Sequence, residues 1–423
     1  MVHEIVTLQI GHYSSHVGAH LWNHLDLEER NGNTHIDYNT YYTYNKKTNI
    51  ASPRALIIDY RNTFGCLLGE ADVKPLENSS TVEVIQRQTD EQFWSNQLTT
   101  KAKFQSKSLV PLAGYWYTPN DDQNQFDIFS VGEQVYRTMF DSIENSLHHI
   151  LESCDSLQSF RCLYDVNTSF SGLFTCIQDH LNDECPKRPM WSFGLEETPS
   201  SSPLNMALSL SHSLNENQMP TVACRSSLDS ISLALAIQHA LLSSTTRLDV
   251  LADRLCPMKN NLLHLFETIP LNLNHKTLHN YLESNSLFAF TDPIACHCFT
   301  RGIEQAKLYD SSLYNFNIPT AGELISAYLS EQFGSKMFVS SHSWTDKFHG
   351  TLSKRHYDRI SMLAGLVNDR AASFRCFDDL SREVRKIKFK VLSKRWEENG
   401  FDEDRYEQLT NNLNTLTELY QSE

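Results

Sequence analysis

The sequence lacks any apolar run long enough to cross a bilayer, and it lacks an excess of basic residues. Its 423 residues are 40% hydrophobic, and 51 acidic residues against 36 basic ones give a net charge of −15. Nucleic-acid binding requires a basic surface that neutralises phosphates, so this balance argues against a nucleic-acid partner. We therefore expect a protein that is soluble or peripheral to a membrane, with proteins or small molecules as partners.

Paired cysteine motifs, a secretory signal and an Arg-rich mitochondrial presequence are also absent. The ten cysteines include no CxxC pair, which is typical of reduced cytosolic thiols. The one tight cluster is Cys296-His297-Cys298, and histidines recur every four residues from His12 to His24. The cysteine cluster lacks two ligands, and a four-residue repeat rotates around a helix, so neither pattern completes a metal site. We predict no metal.

The amino terminus predicts a strand, a turn and a helix. Residues 4–10 are rich in Val, Ile and Leu, Gly11 opens a turn over residues 11–15, and residues 16–27 have helical character. Such a unit places unpaired backbone N–H groups at the carboxyl end of a sheet, where anions bind. The spacing of Gly11 and Gly18 matches neither a dinucleotide fingerprint nor a P-loop.

Strand and helix patterns alternate through the first half of the chain. Further strands are predicted at residues 55–59, 160–166 and 190–193, and helices at 130–154, 170–183 and 206–215. This alternation favours a Rossmann-type α/β fold, a mostly parallel sheet with helices on both faces. Residues 382–395 contain a basic run, which is either a solvated helix face or a surface for acidic lipid or an acidic protein tail.

Two informative strings at the amino terminus are EIVTLQIG at residues 4–11 and VGAHLWN at 17–23. Together they resemble the amino terminus of tubulins, and they resemble the Misato family of tubulin-related proteins more closely. Two further strings, PRALIID at 53–59 and ESCDSLQSF at 152–160, resemble tubulin segments in the same order. The resemblance implies a tubulin-like domain over residues 1–225, a central connecting helix over 226–244, a second, smaller α/β or α+β domain over 245–376 and a C-terminal helical segment over 377–423.

The resemblance also implies a degenerate nucleotide site. Gly11, His12, Ser171, Gly172 and Asn205 match positions around a tubulin-bound guanine nucleotide, with His12 where tubulins carry glutamine. The tubulin loop GGGTGSG is replaced by NTSFSG at residues 167–172, so Phe170 obstructs the familiar phosphate pose. Asn205 is either the base-contacting residue or a helix cap. We predict no cofactor, with guanine nucleotide as the alternative ligand.

A magnesium-associated carboxylate is missing as well, since Arg61 stands where tubulins place an acidic residue. The region of residues 255–275 has Glu267 but no match to the tubulin catalytic loop. We therefore predict no catalytic residues and no enzymatic activity.

The function implied by the resemblance is a non-enzymatic role in mitochondrial distribution, morphology and mitochondrial DNA inheritance. It implies residence in the cytoplasm and at the mitochondrion, on the cytosolic face or outer membrane, by peripheral contact. The alternative is a GTP-binding, self-assembling tubulin-like cytoskeletal protein. Tubulin and the cytosolic chaperonin are the candidate partners.

Overall fold

A computed structural model describes the chain in segments. The described residues are 3–30, 32, 36–68, 93–117, 126–196, 203–215, 220–224, 230–241, 247–257, 261–268, 290, 292–301, 337–339, 362–389, 392 and 394–421. By its internal contacts the chain divides into two compact units. The first comprises residues 1–190 and 194–205, and the second comprises 191–193 and 206–423.

The first unit is built on parallel strands. Its strands are β1 (Glu4–Ile10), β2 (Tyr42–Tyr44), β3 (Ala51–Pro53), β4 (Ala55–Tyr60), β5 (Leu109–Leu112) and β6 (Leu157–Asp165). The parallel order is β6-β1-β4-β5, with Leu8 opposite both Leu56 and Cys162, while β2 and β3 form a separate antiparallel pair. All seven residues of β1 are buried, as expected for a central strand covered on both faces.

Helices cover both faces of these strands. The helices of this unit are α1 (His12–Arg30), α2 (Trp94–Gln97), α3 (Phe129–Leu151) and α4 (Phe170–Glu184). The crossover through α1 leads from β1 to β4, whereas that through α3 leads from β5 back to β6. Right-handed crossovers in opposite directions place their helices on opposite faces. The predicted α/β class, with helices on both faces, is confirmed.

The second unit combines parallel and antiparallel pairs. Its strands are β8 (Thr221–Cys224), β9 (Leu262–Thr268), β10 (Pro293–Arg301), β11 (Met337–Val339) and β12 (Met362–Asp369), in the order β11-β10-β12-β9-β8. The β8/β9 and β10/β11 pairs are parallel, and β12 is antiparallel to both of its neighbours. Strand β7 (Met190–Leu195) contributes residues to both units.

Helices of the second unit include an amphipathic pair at the carboxyl end. The helices are α5 (Pro203–Asn215), whose first three residues belong to the first unit, α6 (Ser230–Leu241), α7 (Leu248–Leu255), α8 (Arg370–Lys386), α9 (Lys394–Glu398) and α10 (Glu403–Tyr420). Phe377 of α8 stacks on Tyr420 of α10, and both side chains are buried. The Leu262 N–H donates to the Tyr420 hydroxyl at 3.3 Å, which ties α10 to β9.

Most predicted elements are present, but the predicted turn at residues 11–15 is wrong. Helix α1 begins at His12, and only Gly11, with a φ of +126°, lies between it and β1. The predicted central helix is observed over Ser230–Leu241, and residues 226–229 and 242–244 lie outside the described residues. Its connecting role and the four-part domain division stay predictions.

Two basic residues of the carboxyl-terminal segment have acidic partners on their own helices. Arg382 pairs with Asp378 and lies 3.4 Å from Asp379, while Lys394 lies 3.3 Å from Glu398. These pairs are exposed and lie within single helices, as in an ordinary solvated helix face. Among the described residues, no helix has the length and apolarity needed to cross a membrane.

Candidate functional site

The candidate site lies in the first unit, at the carboxyl ends of β1, β4 and β6. Gly11 follows β1, Asp59 lies near the end of β4, and Asp165 ends β6. The carboxyl edge of a parallel sheet is where ligands bind in open α/β folds, and the N-terminus of α1 opens onto it. The geometry of this edge therefore determines whether an anion can enter.

The backbone donors of α1 are already bonded to a carboxylate from another strand. The Tyr13 and Ser14 N–H groups donate to Asp165 at 3.0 and 2.7 Å. A Cβ atom on Gly11 would collide with this carboxylate. Asp165 thus places a negative group where a phosphate would bind in a nucleotide site, and it satisfies the helix N-terminus without a ligand.

Aromatic side chains pack together at the start of α4. Phe170 is fully buried at the first position of α4, with ring centroids 5.2 Å from Tyr60 and 4.7 Å from Phe126. The N-terminus of α4 makes its hydrogen bonds locally, because the Ser171 N–H donates to the Thr168 carbonyl at 3.1 Å. The structure places Phe170 at the start of α4 rather than inside the predicted loop, and the expected obstruction of a phosphate by its side chain stays a prediction.

Asn205 bridges two loops and caps α3. Its side-chain oxygen accepts from the Phe129 N–H at 2.8 Å, and its amide donates to the Asp127 and Asn167 carbonyls at 2.6 and 2.7 Å. The residue is fully buried. Of the two sequence interpretations, the geometry matches a capping role, although the capped helix is α3 rather than the helix that contains Asn205.

Ser171 and Gly172 also serve local packing. The Ser171 hydroxyl donates to the Thr168 carbonyl at 2.6 Å, and the side chain is fully buried. A Cβ atom on Gly172 would collide with the Phe129 carbonyl, and one on Gly132 would collide with the Ser169 carbonyl. These two glycines therefore permit the close approach of α3 and α4.

His12 belongs to a chain of hydrogen bonds that sequence analysis did not assemble. Its Nδ1 lies 3.3 Å from Asp59, its Nε2 lies 3.3 Å from Nε2 of His16, and Nδ1 of His16 lies 3.0 Å from the Gln97 side-chain oxygen. Either ring nitrogen of a neutral imidazole can carry its proton, so the donor and acceptor roles along this chain depend on the tautomers of the two histidines.

Asp59 and Arg61 differ in their surroundings. Asp59 is fully buried and accepts from the Tyr60 N–H at 2.7 Å and the Thr63 hydroxyl at 2.8 Å. The guanidinium of Arg61 lies 5.9 Å from the Trp116 ring centroid. The five predicted site residues thus lie around one edge, but with contacts that support the scaffold. The residual nucleotide site stays a prediction.

Sequence reasoning missed the roles of Asp165 and Gln97. Asp165 lies one residue before the end of the strand predicted at residues 160–166, but its pairing with α1 spans 151 to 152 residues. Gln97 lies in the four-residue helix α2, and no local pattern marks its approach to His16.

Comparison with known proteins agrees with the amino-terminal resemblance. Residues 3–110 match the family model of the Misato segment II tubulin-like domain. The chain is 23% identical over 254 residues to "Protein misato homolog 1" of Mus musculus, which covers 47% of this chain and 45% of that protein. It is also 23% identical over 248 residues to "Protein dml1" of Aspergillus clavatus, covering 46% of each chain. These matches span less than half of the relatives' length.

Proposed function

From the premise that the amino-terminal part of this chain carries a Misato-type tubulin-like domain, we propose that it is a non-enzymatic, tubulin-related protein. It acts in mitochondrial distribution, morphology and mitochondrial DNA inheritance. It works without a bound nucleotide, in the cytoplasm and at the cytosolic face of the mitochondrion or its outer membrane. The fold by itself gives none of this, since one fold hosts many functions.

The observation that carries the non-enzymatic part is the carboxylate of Asp165 on the N–H groups of Tyr13 and Ser14. A phosphate in this place would meet a like charge and would find its donors occupied. Asn205 has its side-chain donors and acceptor engaged by backbone groups, so it has no amide hydrogen left for a guanine base without breaking them. Both features favour a scaffold over a GTPase.

The mitochondrial part rests on the similarity to Misato and DML1 proteins. A scaffold of this kind acts through its surfaces, so its partners are proteins, with tubulin and the cytosolic chaperonin as candidates. Attachment to the outer membrane is peripheral. Affinity purification under native conditions, probed for tubulin and chaperonin subunits, tests these partners directly.

The first experiment measures guanine nucleotide in the purified native protein, by chromatography after denaturation. We expect less than a tenth of an equivalent, on the order of the background for a non-binding protein. An Asp141→Asn variant, changed on an exposed part of α3, is the control for purification losses. Near-stoichiometric GTP or GDP that is lost in an Asn205→Ala variant would favour the alternative, a GTP-binding protein that self-assembles.

The second experiment tests the cellular role. Depletion of the protein in its own cells should disturb the mitochondrial network and lower mitochondrial DNA content, and wild-type protein should restore both. An Asn205→Ala variant that remains folded should also restore them, because the role requires no nucleotide. Unchanged mitochondria after complete depletion would contradict the proposal.

A further inference from the structure

Two helices of the first unit carry matching pairs of potential metal ligands. On α3, Glu144 and His148 are four residues apart, and on α4, His180 and Glu184 are four residues apart. Side chains at this spacing lie on one face of a helix, one turn apart. Each helix offers one imidazole and one carboxylate, and the order of the two residue types along the chain is reversed between the helices.

The packing of the two helices brings these pairs together. At the amino-terminal ends, Gly132 and Gly172 permit close backbone approach. Farther along, Phe140 meets His180 edge to face, with ring centroids 5.6 Å apart, and His148 lies beside Glu184 at the carboxyl-terminal ends. The helices therefore run in the same direction, and two stripes of residues face each other along their length.

Three of the four ligand groups already lie close together, and Glu184 lies beside one of them. Atoms of Glu144, His148 and His180 all lie within 4.8 Å of one another, and Nε2 of His148 lies 3.8 Å from a carboxylate oxygen of Glu184. Tetrahedral zinc, with ligand distances of about 2.0–2.2 Å, requires its ligand atoms to be roughly 3.3–3.6 Å apart. Small side-chain rotations would close this difference, because His148 and Glu184 are each 46% exposed.

From this arrangement we propose that Glu144, His148, His180 and Glu184 form a binding site for a divalent transition-metal ion, with zinc as the best fit. Two imidazole nitrogens and two carboxylates suit zinc, whereas magnesium and calcium prefer oxygen ligands alone. The two carboxylates neutralise the charge of the ion, and the exposed edge of the site gives the ion a path from solvent. Bound metal would fasten the carboxyl-terminal halves of α3 and α4 together. This site is distinct from the carboxyl edge of the sheet and does not depend on the proposed function.

The sequence alone did not indicate this site because its ligands are divided between helices. Each helix supplies a pair that is common on solvated surfaces, and the two pairs are separated by 31 residues between His148 and His180. The signal that was available is the mirrored spacing, Glu-x3-His followed by His-x3-Glu. Only the parallel packing of α3 against α4 brings Glu144, His148 and His180 together and places Glu184 beside His148.

The test is cobalt and zinc binding by the full chain after removal of metal with a chelator. The absorption spectrum of bound Co²⁺ identifies its ligands, because tetrahedral coordination by nitrogen and oxygen gives visible bands without the charge-transfer band of a thiolate ligand. We expect one tight equivalent that Zn²⁺ displaces. We expect a His148→Ala/His180→Gln variant to lose this equivalent, with affinity reduced by at least about 10-fold.

His149→Ala is the matched control. His149 lies next to His148 on α3, but its Nε2 contacts the Gln105 side-chain oxygen at 2.6 Å, away from the cluster. This variant should bind Co²⁺ as the wild type does. A Glu144→Gln/Glu184→Gln variant, which changes no helix-forming tendency, should show the same loss as the double histidine variant if it keeps the wild-type circular dichroism.

Two results would overturn the proposal. In the first, the wild type and the double histidine variant bind Co²⁺ with the same stoichiometry and the same spectrum. In the second, His149→Ala loses the ion as completely as the ligand variants, which would trace the loss to the helix rather than to its ligands. A thermal midpoint that rises with Zn²⁺ in the wild type and not in the ligand variants would add independent support.

Discussion

Asp165 is the residue whose position matters most for the chemistry of the first unit. It ends β6, and its carboxylate accepts hydrogen bonds from two N–H groups at the start of α1. A helix N-terminus attracts negative charge, and here the chain supplies that charge itself. One side chain thus stabilises a helix and competes with an external anion for the same donors.

Replacement of Asp165 by asparagine should destabilise the protein. Asparagine retains one acceptor oxygen but loses the charge and the second acceptor, so we expect a loss of about 1–3 kcal/mol in the free energy of unfolding. Urea denaturation followed by circular dichroism measures this change. Asp141→Asn, on the exposed surface of α3, should cost less than about 0.5 kcal/mol. Equal stability of both variants would contradict the capping role.

Burial of two thiols predicts a specific pH dependence of alkylation. Desolvation raises the pKa of Cys154 to about 11 and that of Cys256 to about 12. Only the thiolate reacts, so at pH 8 both residues should be alkylated about 100-fold more slowly than an ordinary thiol, or slower still. Their rates should rise about ten-fold for each pH unit up to pH 10.

Timed alkylation of the native protein, followed by mass spectrometry of its peptides, measures these rates. The same residues in denaturant provide the control, because unfolding restores the ordinary thiol pKa. The raised pKa values also mean that these thiols favour folding below pH 8 to 9 and that this contribution is lost as the pH rises toward their folded values. A native rate that levels off near pH 9 would contradict the prediction.

Among the elements, α3 and α4 depend on each other most directly. Their close approach requires glycine at positions 132 and 172, where a Cβ atom would collide with a backbone carbonyl of the other helix or its leading turn. Backbone atoms cannot rotate away as a flexible side chain can. The contact therefore fixes the spacing of the helices and, farther along, the distance between the two proposed metal-ligand pairs.

Gly172→Ala should therefore destabilise the first unit by about 1–3 kcal/mol, the usual cost of overpacking, and Gly132→Ala should act similarly. Gly114→Ala is an informative comparison. Gly114 has a φ of +86° and nothing within 4 Å of its missing Cβ, so its change should cost only the conformational strain, about 1–2 kcal/mol. The denaturant midpoints of the three variants measure how much stability each substitution removes. Helix variants that unfold with the wild-type midpoint would disprove the close-contact argument.

Over the whole molecule, the acidic balance governs long-range interactions. The net charge of −15 repels nucleic acid on approach, and the basic residues Arg382 and Lys394 have acidic neighbours on their own helices. Local pairing reduces the field that the basic run would present to an anionic partner.

The protein should therefore fail to shift duplex DNA or single-stranded RNA in an electrophoretic assay at physiological salt. We expect no binding at protein concentrations up to about 100 μM, the weak end of ordinary non-specific affinity. A basic DNA-binding protein run beside it confirms that the assay detects binding. Salt-dependent retention of RNA at micromolar concentrations would show that a local basic surface outweighs the net charge.

Much of the fold could be predicted because its signals are local. The apolar residues of β1 gave both ends of that strand correctly, Glu4–Ile10, and the predicted start of α4 at Phe170 is also confirmed. The start of α1 was missed because the N–H groups of its first turn donate hydrogen bonds to Asp165, which is far away in the sequence. A cap that comes from a distant strand leaves no signal at the helix itself.

The sequence by itself determined the α/β class, the strand and helix pattern and the resemblance to Misato proteins, because these depend on periodicity and on short strings. The tertiary structure alone decided how the polar groups are used. In the folded protein, Asp165 accepts hydrogen bonds from α1, and Asn205 is hydrogen-bonded to the loops before α3 and α4. His148 lies close to Glu184. Such pairings join residues far apart in the chain, and their geometry exists only after the strands and helices have packed.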